Sequence, residues 1–148
     1  MKINQILSED YQIYRRWFEL SLDLIWKIPQ ELRAKADPMS EIAKAEGKSL
    51  TMAEKALASG IKDTVAMTDR YSAGDIELVD EAFVKAGLPS LTAMRVVFSK
   101  SLLRIIKSSV VENEEDYCLL KSLEDCDLPE GAKNMIRKMC GAYEIKKY

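Results

Sequence analysis

Tyr11-Gln12-Ile13-Tyr14-Arg15-Arg16-Trp17-Phe18-Glu19-Leu20-Ser21-Leu22-Asp23-Leu24-Ile25-Trp26-Lys27-Ile28 is the stretch that decides the fold. Five of the chain's eleven aromatic residues lie between Tyr11 and Trp26, both tryptophans among them. On a helical wheel of about 100° per residue, Tyr11, Tyr14, Phe18, Leu22 and Ile25 share one face. Trp17, Leu24 and Ile28 broaden that face past half the circumference. The polar strip left over is narrow, and consists of Gln12, Arg15, Arg16, Glu19, Asp23 and Lys27. The pattern predicts a helix from about Glu9 to Ile28, capped by Ser8 and stopped by Pro29. So wide an apolar face suits a central core helix, touched by neighbours on several sides.

The same face has a second use. Tryptophan and tyrosine are enriched at binding hot spots, because they bury large areas at small entropic cost. The wheel puts Trp26 at the edge of the polar strip, between Arg15 and Glu19, where solvent should reach it. Trp26, Trp17, Tyr14, Arg15 and Glu19 are therefore the candidate partner-binding residues. The alternative for Trp26 is a lid over the core with its N–H in water.

Working outward, breakers are scarce in the rest of the chain: four prolines and six glycines in 148 residues. A short helix fits 30–36. Asp37 caps another, with Pro38 at its first position, ending near Gly47. From about Leu50 to Arg70 a longer helix opens on Thr51-Met52-Ala53-Glu54, a capping-box pattern. Its inner face reads Ala53, Leu57, Ile61, Thr64 and Thr68. Asp75 caps a helix to Ala86, which Gly87 and Pro89 end. Ser90 caps the next, Leu91 to about Val111. Asn113 with Asp116 caps one carrying Leu119, Leu120 and Leu123. In the last helix Ala132, Met135, Ile136, Met139 and Cys140 make one apolar stripe, and Gly141 closes it. No stretch reads as a strand and no repeat is present. The expectation is an all-α chain. It would be a single domain over 1–148, an irregular bundle of six or seven helices, with 142–148 as a tail.

Charge is segregated by sign in the last part of the chain. Residues 89–111 carry a net +4, residues 112–130 a net −7 and residues 131–148 a net +4, within a total of −2. Lys100, Arg104 and Lys107 form one basic stripe, opposite Met94, Phe98, Leu102 and Ile105. Such a stripe can meet phosphates. It can equally be a solvated face, or pair with the acidic helix that follows. The bases Lys133, Arg137, Lys138, Lys146 and Lys147, interleaved with Tyr143 and Tyr148, add to the nucleic-acid alternative. The acidic block beside them confines any such surface to one side. Arg95 falls among Leu91, Leu102 and Ile106 on the apolar side. A buried guanidinium needs a carboxylate, and Asp63 and Asp69 are the candidates. If Arg95 faces a cleft instead, it would accept an anion.

Reactive chemistry is sparse. The chain has no histidine, which removes Ser-His-Asp and Cys-His catalysis and the commonest metal ligand. Cys118, Cys126 and Cys140 form no CxxC pair and suit small apolar residues in a reducing compartment. Asp69 to Asp80 has the outline of a calcium loop, but its third and fifth positions are Tyr71 and Ala73. The acids Glu112, Glu114, Glu115 and Asp116 are accounted for by capping and the helix dipole. There is no glycine-rich phosphate loop, no long apolar run and no signal-peptide block at the start. The reading is a cytoplasmic, non-enzymatic interaction module of adaptor, inhibitor or immunity type. It works with no cofactor and no metal, through a protein partner or a second copy of itself. Nucleic-acid binding is one alternative; an enzyme with a carboxylate- and arginine-based site is the other.

Overall fold

The computed structural model describes residues 10–108, 110–125 and 128–147. They form helices and no strand, as the periodicities require. In chain order these are α1 (Tyr11–Ser21), which runs on as a π-helical turn (Leu22–Trp26), α2 (Gln30–Arg33), α3 (Pro38–Glu46), α4 (Leu50–Met67), α5 (Ala73–Lys85), α6 (Leu91–Val97), α7 (Lys100–Ser108), α8 (Glu114–Leu123) and α9 (Glu130–Lys147). One cluster of buried side chains reaches from Tyr11 to Cys140 and takes in residues from most of these helices. α3 and α4 form a hairpin against α1, α8 and α9 form a second hairpin, and α5 packs on α6.

α1 is the core helix its composition implies. Tyr14, Trp17 and Leu22 have no exposed surface. Trp17 stacks on Phe83 of α5, ring centroids 4.6 Å apart and planes 8° from parallel. Such a pair adds ~1 kcal/mol to what the buried area alone contributes. The predicted inner face of α4 is buried throughout: Ala53, Leu57, Ile61, Thr64 and Thr68. Gly60 on that helix is a close-approach glycine. A Cβ there would lie 2.8 Å from the Phe18 ring, so α1 and α4 meet at this point only because the side chain is missing.

Four boundaries differ from the sequence expectation, each for a local reason. The α4 cap is Ser49, whose Oγ accepts from the Met52 N–H at 3.1 Å, and not the Thr51 box. Likewise Ser72 caps α5, with Asp75 as the reciprocal member of a capping box. In both cases a serine two or three residues earlier binds the orphan amide first. The helix predicted over Leu91–Val111 is two. α6 stops at Phe98, and the Ser99 hydroxyl accepts from the Leu102 N–H to start α7. No proline or glycine marks that break. Finally, α9 passes through Gly141 to Lys147, so 142–147 continue the helix rather than forming a tail. Gly141 costs that helix ~1 kcal/mol relative to alanine without ending it. The Ser8 cap lies outside the described residues.

Candidate functional site

The path to the site begins at the C-terminus of α5. Gly87 has φ +74°, a backbone region that suits glycine. Its N–H donates to the Val84 carbonyl at 2.9 Å, and the Leu88 N–H donates to the Phe83 carbonyl at 3.0 Å. This is a Schellman closure, and it brings Leu88 against Phe83 as such closures do. The chain then turns through Pro89, whose carbonyl accepts from the Trp17 indole N–H at 2.9 Å. Thr92 at the start of α6 is held by Asp80 of α5, through its amide at 2.9 Å and its hydroxyl at 2.5 Å. The Gly87-Leu88-Pro89 turn is thus tied to α1 through Pro89, and the two helices it joins are tied to each other through Asp80 and Thr92.

Two clefts open on either side of Leu88. One, of about 300 Å³, is lined by Ile13, Val84, Gly87, Leu88, Pro89, Leu128, Pro129 and Lys133. The other, of about 440 Å³, is lined by Arg16, Glu19, Leu20, Asp23, Arg33, Ala86 and Leu88. Ile13, Arg16, Leu20 and Asp23 recur at three- and four-residue spacing, so they are one stripe of α1 and its π turn. The two clefts are therefore one groove along that stripe, divided at Leu88. From Ile13 to Asp23 it runs about 15 Å at 1.5 Å per residue. The floor of the first cleft is apolar, with Leu88, Pro89, Leu128 and Pro129 all buried, whereas four of the seven residues lining the second are charged. Val84 is 49% exposed on the wall of the first.

The charges of the groove are unevenly spent. Arg33 is paired with Asp23 at 2.8 Å. Glu19 lies 3.9 Å from Arg15. Arg15 itself belongs to a tie on the far side, where its guanidinium donates to Glu46 at 2.9 and 3.3 Å. Tyr11 donates to the same carboxylate at 2.7 Å. The Tyr11 hydroxyl and then the Arg15 guanidinium hold the Glu46 carboxyl below its ordinary value, against the opposing effect of burial. Burial, followed by the Glu46 contact, pushes the Tyr11 phenol well up. Arg16 and Lys133, by contrast, make no ion pair or side-chain hydrogen bond among the described residues.

The candidate partner-binding set is divided by this geometry. Tyr14 and Trp17 belong to the core and not to an open contact surface: both have no exposed surface. Trp26 is half-buried. The π turn carries an extra residue per turn and swings its ring off the polar edge where the wheel had placed it. It meets Phe18 edge-on at 6.4 Å, and its indole N–H donates to the Thr64 Oγ at 2.9 Å. Arg15 is committed to Glu46. Glu19 alone of the five lines the groove. The stripe Ile13–Arg16–Leu20–Asp23 was not singled out from sequence. Its signal was an apolar pair, Ile13 and Leu20, at the edge of the polar strip beside Arg16 and Lys27.

The basic candidates scatter. Lys100, Arg104 and Lys107 are exposed on α7. Arg104 is spent on Asp116 of α8 at 2.9 Å, the pairing with the following acidic helix that the charge blocks suggested. Arg137 leans on Asn134 at 3.3 Å and Glu130 at 3.8 Å, while Lys138 and Lys146 are exposed. Tyr143 stacks on Tyr117 at 5.0 Å. The Tyr117 hydroxyl donates to Glu144, and that bond chiefly drives its phenol up to about 12. The Lys147 side chain and Tyr148 lie outside the described residues. Arg95 is half-buried and bonds to neither Asp63 nor Asp69, both exposed. Its predicted place beside Leu102 and Ile106 assumed one continuous helix, and the break at Phe98–Ser99 removes that register.

No group of three or more carboxylate or cysteine side chains is placed to hold a metal among the described residues. Nor is any of their helices long and apolar enough to cross a membrane. Comparison of the chain with protein-family models, with curated proteins and with solved structures finds no match.

Proposed function

We propose that this protein is a non-enzymatic interaction module whose working surface is the groove between α1 and the Gly87-Leu88-Pro89 turn, occupied by a segment of another protein. One observation carries the reading: two adjoining clefts that share Leu88, one lined mainly by apolar and the other mainly by charged side chains, follow a single stripe of α1. Protein-binding surfaces combine an apolar centre with polar groups around it. An adaptor, an inhibitor or an immunity-type protein all fit. The nucleic-acid alternative is weakened by the commitment of Arg104 to Asp116, which leaves Lys100 and Lys107 beside an acidic helix start.

Selection of a phage library of random dodecapeptides on the full chain tests the proposal. Peptides should be enriched whose binding is lost in the V84Q/A86Q double variant and kept in I145S. Val84 and Ala86 are exposed, so neutral glutamines there block the groove without disturbing the core. Enriched peptides indifferent to V84Q/A86Q would overturn the reading, as would no enrichment at all. A concentration-dependent dimer in sedimentation, dissociated by V84Q/A86Q, would replace the foreign segment with a second copy of this chain.

A further inference from the structure

The occupant of a groove is recognised by what the groove leaves unsatisfied. Of the five charged residues lining the two clefts, Asp23 and Arg33 neutralise each other at 2.8 Å. Glu19 has only a 3.9 Å share of Arg15, whose guanidinium is committed to Glu46, so the cleft of Arg16 also keeps one carboxylate at its rim. Arg16 and Lys133 have no carboxylate partner among the described residues, and each lines its own cleft. Lys133 is half-buried, so part of its stem is already out of water along the apolar wall. It lies in the cleft that holds Ile13, Leu128 and Pro129, while Arg16 lies in the neighbouring cleft one helical turn along α1. The groove therefore offers buried apolar area flanked by two cations separated by the Leu88 floor.

Resting on the reading above, we infer that the partner segment is acidic and apolar: one or two aliphatic or aromatic side chains seated on Leu88 and Pro89, with carboxylates reaching Arg16 and Lys133. A groove of about 15 Å accommodates about ten residues of helix or five of extended chain. Charge of this kind at an interface rim selects among partners and speeds encounter, while the apolar centre supplies the hold. Two other candidates fall short. The shallow patch around Ile145, which is 83% exposed, has its one acid, Glu144, already bound to Tyr117 and Lys121. The stripe on α7 has its central guanidinium occupied.

The test sequences the dodecapeptides enriched on the wild-type chain and repeats the selection on R16E/K133E. Arg16 is exposed and Lys133 half-buried, and neither makes an ion pair or side-chain hydrogen bond among the described residues that folding would lose; circular dichroism of the variant confirms that it is folded. On the wild type, Asp and Glu should be over-represented beside Leu, Ile, Val and Phe. Synthetic versions should bind R16E/K133E roughly tenfold more weakly, the loss expected of two rim pairs, and the weakening should shrink as salt is raised. Selection on R16E/K133E should return peptides carrying Lys and Arg instead. Groove-dependent peptides with no acidic bias, or with equal affinity for the variant, would overturn the acidic partner and leave the groove standing. Peptides indifferent to V84Q/A86Q as well would overturn both.

Discussion

The seam under α1 and the α8–α9 hairpin both use aromatic pairs, and they use them oppositely. In the seam, Trp17 and Phe83 stack in full burial, and the one polar atom of the pair is satisfied by a backbone carbonyl of the very turn that forms the groove floor. In the hairpin, Tyr117 and Tyr143 stack at the surface, and carboxylates hold their hydroxyls, Glu144 on the first and Glu114 at 3.1 Å on the second. The first pair is held by exclusion of water and fixes where the chain turns. The second is held by hydrogen bonds in water, which contribute little net free energy. The lesson is that the aromatic density of the first helix, which resembles a binding surface on a wheel, is spent on positioning the groove beside it.

The contrast breaks first at Trp17. Trp17→Ala should cost ~4 kcal/mol and release the Gly87–Pro89 turn, measured by urea denaturation. A cost near that of a surface substitution would remove the seam from the account. Next comes Gly60→Ala. Its methyl gains ~1 kcal/mol of helix propensity but collides with the Phe18 ring, an overpacking worth ~2 kcal/mol, so a net loss of ~1 kcal/mol is expected in the same assay. A stabilised variant would show that α1 and α4 are not in tight contact. Tyr143→Ala, in the hairpin, should lie within ~1 kcal/mol of wild type.

The weakest effect is in pH. The Glu46 carboxyl is held low in the folded state by Tyr11 and Arg15, so it binds its proton less readily folded than unfolded. Its stabilisation is full above the ordinary value of 4.5 and is lost as pH falls through the lowered folded value. The E46Q variant should therefore show a shallower acid limb in thermal melts below that point than wild type. Coincident limbs would mean that the α1–α3 tie is absent in solution.

Much of the fold was legible because it depends on period alone. The buried face of α4 follows the predicted residues, and so does the stripe of α9, where Ala132, Ile136, Met139 and Cys140 are buried. What was not legible depends on one-residue changes of register. The π turn carries Trp26 to Thr64, and the Ser99 cap splits α6 from α7, yet neither leaves a proline or glycine behind. The site was legible only in part. Glu19 was found on the polar strip. The groove itself needs the Schellman turn at Gly87 to face Ile13 and Leu20 across two elements far apart in the chain, a juxtaposition no wheel contains.

The proposed contact with a partner runs along α1 at Leu88 and not on the α8–α9 hairpin. Amide chemical-shift mapping of the isotope-labelled full chain, titrated with the most enriched acidic dodecapeptide, tests it most directly. Shifts should concentrate at 13–23, 84–89 and 128–133, with 117 and 141–145 unmoved. Shifts concentrated at 117 and 141–145, with 84–89 silent, would contradict it.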